Sequence, residues 1–548
     1  MTESKNKKKK QRTDDREQKQ MEKEKYWLRK VAKYDYIILY GAGLVGGLTA
    51  KRLLANGLEH KIVGYAVSKR DKESPSGEKV NELYVYEIQE LKRYAKEALV
   101  IVATMPVLHD VITRTLRENG FEQYSLVTTK LYDSFCRNYI ADFRRTKTVS
   151  FPENVKKRIL FLASDNNRTS GAFLCMAELC EMIEEQRKRK QTGKVEDDFA
   201  VLVVLPEYGT GEELLIQKGI PYTYIPSKDW GYEIARDQDG IAKLKFAVGQ
   251  LSNYKAKREL ERLIREQSVN LVHCNTTYTY VGALAAKACG IPVVWHLREN
   301  MEHQGYRFFT RKWALRLIQQ AEQIIAVSEY IRYLLPIRGP EQIRVVYDAV
   351  ELGTLPVRER VILGMDTVHM MIVGAITPYK GQEELIEACY LLSKKKEITF
   401  HLQIVGTGEA AYVEQLREKT RQYHLERQVE FYGASREVGK LYEKADIVFM
   451  CSKAEPYGRV TVEAMMTGCL VIGARSGATT ELIRAGETGF LYEPGNAGAL
   501  ADCIQKAVSC PEQSRILAKK GQAFARRTFT KERNLCQILE VYREVLRK

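Results

Sequence analysis

Short apolar runs alternate with stretches of helical periodicity from Tyr34 onward. The first series predicts strands over Tyr36–Tyr40, Ile62–Val67, Leu99–Ala103 and Tyr124–Val127, with helices near Leu48–Asn56 and Val107–Asn119. A second series opens at Ile159–Ala163 and runs through Ala200–Leu205, Tyr222–Ile225, Leu271–His273, Val293–His296 and Ile324–Val327, with helices at Ala172–Arg189 and Tyr280–Cys289. A third opens at His369–Val373 and continues through Phe400–Val405, Val429–Tyr432, Ile447–Cys451 and Leu470–Gly473. Strands alternating with helices predict parallel sheets covered on both faces. Leu535, Ile538, Leu539, Val541, Tyr542 and Val545 recur at near-helical spacing, so a last helix over 531–548 needs a surface on which to bury that face.

The chain has 548 residues, and at roughly 150 residues per domain this fits three α/β units. The expected division is a charged, flexible leader at 1–33 that frays and then becomes a short helix where apolar residues begin at Tyr26, Trp27 and Leu28, units at 34–150, 156–350 and 361–530, and a C-terminal helix at 531–548. Apolar residues make up 45% and charged residues 28%, which excludes a wholly disordered or membrane-embedded chain. No apolar run approaches the roughly 18 residues of a membrane helix, so the expected location is the cytoplasm. The 11 cysteines form no C-x-x-C pair and read as small buried hydrophobes.

The net charge is +16, and residues 1–33, with 13 basic and 6 acidic side chains, carry +7 of it. Such a leader is a solvated arm or a point of contact with anionic membrane. Nucleic acid is not an expected partner, because the cations are not interleaved with aromatics in a binding module.

The densest chemistry lies in the third series, at Glu455-Pro-Tyr-Gly-Arg-Val-Thr-Val-Glu463. One carboxylate sits in a loop after a strand and the other inside the following helix, about 12 Å apart, a spacing that serves two parts of one extended ligand rather than a close acid/base pair. Between them, the Tyr457, Gly458 and Arg459 amides stand at a helix N-terminus, which favours phosphate. Lys380-Gly381 follows Gly374 at another strand-to-helix junction, Gly406-x-Gly408 follows a third strand, and Tyr432-Gly433 a fourth. Open α/β sheets bind ligands at this end of their strands.

These residues, with Gly477, Glu481 and Gly489 in order behind them, resemble glycosyltransferase family 4 over about residues 156–548. The resemblance implies the GT-B fold, two Rossmann-like domains facing a cleft, here preceded by an additional N-terminal Rossmann-like domain. It implies a retaining glycosyltransferase of hexosyltransferase type, moving a sugar from a UDP- or GDP-sugar to a glycan, lipid-linked or protein acceptor in bacterial surface-glycan assembly, with no further cofactor and no metal. Catalytic roles fall on Glu455, Lys380 and His296. Donor contacts fall on Gly171, Gly374, Lys380, Gly406, Gly408, Tyr432, Gly433, Glu455, Tyr457, Gly458, Arg459 and Glu463. In that pattern Lys380 neutralises the diphosphate, Glu455 holds the sugar hydroxyls and Glu463 the ribose, and His296 lies beside the donor sugar. Ala375 stands where many members carry a second phosphate-binding arginine, which leaves Arg459 or Arg475 as substitutes.

Asp237-Gln-Asp239 has the spelling of a metal-binding D-x-D, but it follows no apolar strand and reads as a turn. In the first series, Gly41-Ala-Gly43-Leu-Val-Gly46 has the spacing and context of a dinucleotide loop. The acid expected about 20 residues later is missing, since the next strand ends in Ser68-Lys69-Arg70. Ligand binding by Gly41, Gly43 and Gly46 and a purely structural role both remain open. So do two other readings of the whole chain: a non-catalytic nucleotide-sugar-binding partner of a transferase, and a fusion with an NAD(P)-dependent sugar-modifying domain.

Overall fold

The computed structural model describes residues 22–69, 79–190, 198–337, 339, 342–350, 367–435 and 437–547. The chain divides into two compact units: 1–149 with 207–212, and 150–206 with 213–548.

The first unit is built on a six-stranded sheet in the order Lys79–Val80, Leu83–Glu87, Ile62–Val67, Tyr36–Tyr40, Ala98–Val102, Tyr124–Leu126. All pairs are parallel except the edge pair Lys79–Val80 with Leu83–Glu87, which the sequence pattern did not reveal. Ile38, Ala66, Val100 and Val102 form its dry centre, as expected of a strand set covered on both faces. The leader expected over 1–33 meets a packed helix at 22–31. Val31 is buried, Trp27 donates its indole N–H to Ser125 Oγ at 3.0 Å, and the buried Glu24 accepts from Arg52 at 2.8 Å. Only the part over 1–21 lies outside the described residues.

The second unit contains two all-parallel sheets. One has seven strands in the order Ile343–Val345, Gln323–Ala326, Val293–Leu297, Leu271–Cys274, Lys157–Leu162, Phe199–Leu205, Tyr222–Tyr224. The other has six, in the order Val429–Gly433, Phe400–Val405, Val368–Val373, Ile447–Met450, Leu470–Ala474, Phe490–Tyr492. In each sheet the strand order reverses beside the first strand of its series, and ligands collect at such switch points. A two-stranded antiparallel ribbon, Gly231–Glu233 with Tyr306–Phe308, was not legible in the sequence because each strand is only three residues long.

The C-terminal helix Lys531–Arg547 finds the surface its pattern demanded. Its Tyr542 hydroxyl meets Nδ1 of His273, on the first sheet, at 2.8 Å, and Asn534 donates to the Tyr347 carbonyl at 2.8 Å. Ile538, Leu539, Val541, Tyr542 and Val545 are buried, each worth roughly 1.5–3 kcal/mol of apolar transfer. The helix thus follows the second sheet in sequence yet braces the first. Six cysteines are buried as expected, whereas Cys510 and Cys536 are exposed.

Candidate active site

A cavity of about 400 Å³ opens between the two lobes of the second unit. From the first lobe it is lined by Ser164, Asp165, Gly171, Tyr278, Arg298 and Glu299, among others. Lys380, Glu455, Tyr457, Gly458 and Arg459 line it from the second lobe.

Packing explains how Lys380 and Glu455 meet. Gly381 has φ +76°, and a Cβ there would collide with Cys451 at the end of the neighbouring strand, so only glycine lets the Lys380 loop lie against that strand. On the other side of the Glu455 loop, a Cβ on Gly477 would stand 2.5 Å from the Glu455 carbonyl, which accepts from the Ala478 amide at 2.9 Å. Held from both sides, Glu455 accepts from Lys380 Nζ at 2.7 Å. Burial works to raise the Glu455 pKa, but the adjacent Lys380 charge outweighs it and holds the carboxyl below its ordinary value.

Arg459 begins the helix Arg459–Met466, whose N-terminal amides face the cavity at Gly458. Its guanidinium donates to both Glu178 oxygens of the first lobe, at 2.9 and 3.1 Å, and to Glu463 at 3.3 Å. Burial opposes its charge, and Cys175, Glu178 and Glu463 more than compensate. Glu463 also accepts from the Tyr442 hydroxyl at 2.9 Å. Arg475, the other proposed substitute for the missing arginine, pairs with Glu493 instead and does not line the cavity.

The remaining expected contacts divide. Gly171 lines the cavity at the start of the helix Gly171–Lys190. Gly374, Gly406, Gly408, Tyr432 and Gly433 lie at adjacent strand ends outside that lining. They are tied to one another: Gly406 donates to the Gly433 carbonyl at 2.7 Å, and a Cβ on Gly406 would strike the Gly374 carbonyl.

His296 is not on the wall. Its strand, Val293–Leu297, runs past it, and the ring is fully buried against His273, 5.5 Å away between centroids. Burial, with the Arg298 cation and His273 beside it, holds the ring neutral by lowering its pKa. The histidine on the wall is His303. Its Nε2 has no hydrogen-bond partner, and its pKa is lowered by burial, while the Glu455 charge pulls the other way.

Arg298, Glu299 and Asp348 were given no role in the sequence. Arg298 forms a buried ion pair with Asp348 and donates to the Asn275 carbonyl at 3.1 Å; Asn275 in turn donates to the Ala172 carbonyl at 3.0 Å. Glu299 accepts from the Thr277 amide at 2.9 Å, and burial pushes its pKa up to about 7. The only sequence signal for this set was its position just after a strand. Ser328 and Glu481 join the lobes. The Ser328 hydroxyl donates to the Pro456 carbonyl at 2.6 Å, and Glu481 accepts from the Glu329 and Tyr330 amides at 2.8 and 2.6 Å. Asp239 caps the helix Gly240–Gln250 and Asp237 accepts from Arg307 Nε at 3.0 Å, so both carboxylates of the D-x-D spelling are engaged in local structure.

Comparison with known proteins bears on this geometry. The profile of the group 1 glycosyl transferases matches residues 358–524, and that of Glycosyltransferase Family 4 matches residues 214–353. Over these two stretches the chain matches glycosyltransferase family 4, as the resemblance implied. An uncharacterised family relative, a glycosyltransferase of Methanocaldococcus jannaschii, is 26% identical over 52% of this chain and 78% of its own. The alpha-maltose-1-phosphate synthase of Mycolicibacterium smegmatis is 26% identical over 52% of this chain and 82% of its own. Among solved structures, HepE of Anabaena in complex with UDP-glucose is 24% identical, covers 71% of this chain and 100% of its own, and superposes with a TM-score of 0.56. The fold of the second unit is GT-B.

Proposed function

We propose that this glycosyltransferase moves a hexosyl group, with retention, from a UDP- or GDP-sugar to a glycan, lipid-linked or protein acceptor in surface-glycan assembly. The observation that carries this reading is the Lys380–Glu455 pair at 2.7 Å in the interlobe cavity, beside the N-terminus of the Arg459–Met466 helix. The donor diphosphate lies against Lys380 and those helix amides, which offset the charge that builds on it as the bond breaks. Glu455 holds the sugar hydroxyls and Glu463 the ribose, and the Tyr432–Gly433 strand end meets the base. The bond from the anomeric carbon to the diphosphate breaks, a bond to the acceptor hydroxyl forms on the same face, and the hydroxyl proton passes to the departing diphosphate. His303, rather than His296, stands beside the sugar, because it is the ring on the wall with a nitrogen to spare.

HepE, with its bound UDP-glucose, supports this donor class. In this reading the first unit is a Rossmann-like module, domain boundaries follow 34–150, 156–350 and 361–530, and the basic leader adds a contact with anionic membrane at the cytoplasmic face. Protein cations and amides stabilise the leaving group, so turnover is expected to persist in EDTA. A thermal-shift screen against UDP-, GDP-, ADP- and CDP-sugars tests the donor assignment. A donor at 100 times its Kd adds about 2.7 kcal/mol. Absence of stabilisation by all four classes contradicts the reading.

A further inference from the structure

The helix Gly240–Gln250 and the turn after it leave a long apolar stripe uncovered. Ile241, Leu244, Val248 and Leu251 are 67, 65, 57 and 63% exposed, and Tyr254 beside them 68%. Steps of three, four and three residues put the first four on one helix face. Phe246 points the opposite way, where its ring packs 5.2 Å from Tyr232 and 5.0 Å from Phe309. The helix is therefore anchored through its inner face, and its outer face presents side chains that a globular surface normally hides.

Charge identifies the occupant. Residues 240–258 contain Lys243, Lys245, Lys255, Lys257 and Arg258 and no acid. Of these, Lys257 is paired with Glu261, while Lys245, Lys255 and Arg258 are exposed. The preceding Asp239 spends its carboxylate on the Ile241 and Ala242 amides. A second copy would bring the same cations face to face. An apolar stripe flanked by lysines suits the headgroup boundary of an anionic bilayer.

We infer that the Gly240–Tyr254 face docks on anionic membrane, with Ile241, Leu244, Val248 and Leu251 entering the headgroup boundary and the flanking cations meeting lipid phosphates. Position gives this contact a use. Tyr232, the anchor of the helix, adjoins Gly231, where the missing Cβ makes room for the Tyr278 ring. Tyr278 donates to Gln304 at 3.1 Å, and both line the cavity. The stripe thus lies on the outer side of a helix whose inner side packs, through Phe246, Tyr232 and Gly231, toward Tyr278 of the first-lobe wall, and a bilayer held there brings lipid-borne acceptors to that side of the lobe. The inference goes beyond the transfer reading and does not depend on it, since a soluble-donor assay and a vesicle assay fail separately.

The test is co-sedimentation of the full chain with phosphatidylglycerol or phosphatidylcholine vesicles, for the wild type and for Leu244→Glu/Val248→Glu. Both positions are solvent-exposed and outside the catalytic machinery, so nucleotide-sugar hydrolysis reports that the variant is folded. The wild type is expected to pellet with phosphatidylglycerol only and to be released by salt, and the variant's partition coefficient is expected to drop about tenfold or more with hydrolysis unchanged. Equal binding by the variant overturns the inference in favour of the basic leader. Equal binding to both lipids overturns its charge component. Failure of the wild type to bind, with a dimer that the variant converts to monomer, assigns the face to a second copy instead.

Discussion

Two strand-to-helix junctions in this molecule share a backbone design and differ in what surrounds it. In the first unit Gly41 follows the strand Tyr36–Tyr40 with φ +108°, and its amide donates to Ala66, at the end of the neighbouring strand, at 2.9 Å. In the second unit Gly374 follows Val368–Val373 with φ +136°, and its amide donates to Val405 of the adjacent strand at 2.9 Å. Each carbonyl then lies under a second glycine, Gly46 or Gly406, where any Cβ would collide. Side chains separate the two. Between Gly41 and Ala50 there is no charged residue, and the strand-end position where a ribose-binding acid belongs is Ser68, whose hydroxyl pairs with Tyr40 at 2.6 Å. Beyond Gly374 the loop delivers Lys380 to Glu455. A glycine junction reports close backbone approach; converging charge reports a ligand.

The largest expected effect falls on the charged junction. Lys380→Ala is expected to lower transfer by about 10²–10³ or more, read as nucleoside diphosphate released, because it removes a preorganised cation at the leaving group. Glu463→Ala should mainly raise the donor KM, about tenfold to a hundredfold, through loss of charged hydrogen bonds to ribose, with a smaller effect on kcat in steady-state assays. The uncharged junction should answer in stability instead. Gly46→Ala is expected to cost about 1–3 kcal/mol by overpacking onto Gly41, while Gly43→Ala, with nothing within 4 Å of its Cβ, stays within about 0.5 kcal/mol in denaturant titrations. A pH-dependent effect on stability concerns Glu299, whose pKa of about 7 exceeds the ordinary 4.5 of the unfolded chain. The folded state then holds the extra proton between these values, so its contribution to stability is full below about pH 4.5 and lost as pH rises through 7. Glu299→Gln should flatten that stretch of the pH–stability curve.

Strand positions were legible because parallel strands buried on both faces are continuous apolar runs, as in Phe199–Leu205. Lys380, Glu455 and Arg459 were legible as local strings. What the sequence hid depends on distant partners. His296 and His303 both sit near one strand end, and only packing against His273 decides which ring is buried. Arg298 with Asp348 and Arg459 with Glu178 join residues 50 and 281 positions apart, which no local pattern reports. A short helix was legible at Tyr26, Trp27 and Leu28, but its packing was hidden because the charges around it looked solvated, whereas Glu24 is buried against Arg52.

Titration of UDP and GDP into the intact wild type, Lys380→Ala and Gly43→Asp tests whether the nucleotide-sugar site belongs to the second unit and rests on Lys380. Gly43 has open space around its Cβ, so an aspartate fits there without strain and sets a negative charge at a helix N-terminus where a phosphate would bind. Lys380→Ala is expected to weaken diphosphate binding about tenfold or more, and Gly43→Asp to leave it unchanged. Unchanged affinity in Lys380→Ala together with loss in Gly43→Asp would contradict that placement and move the nucleotide to the first unit.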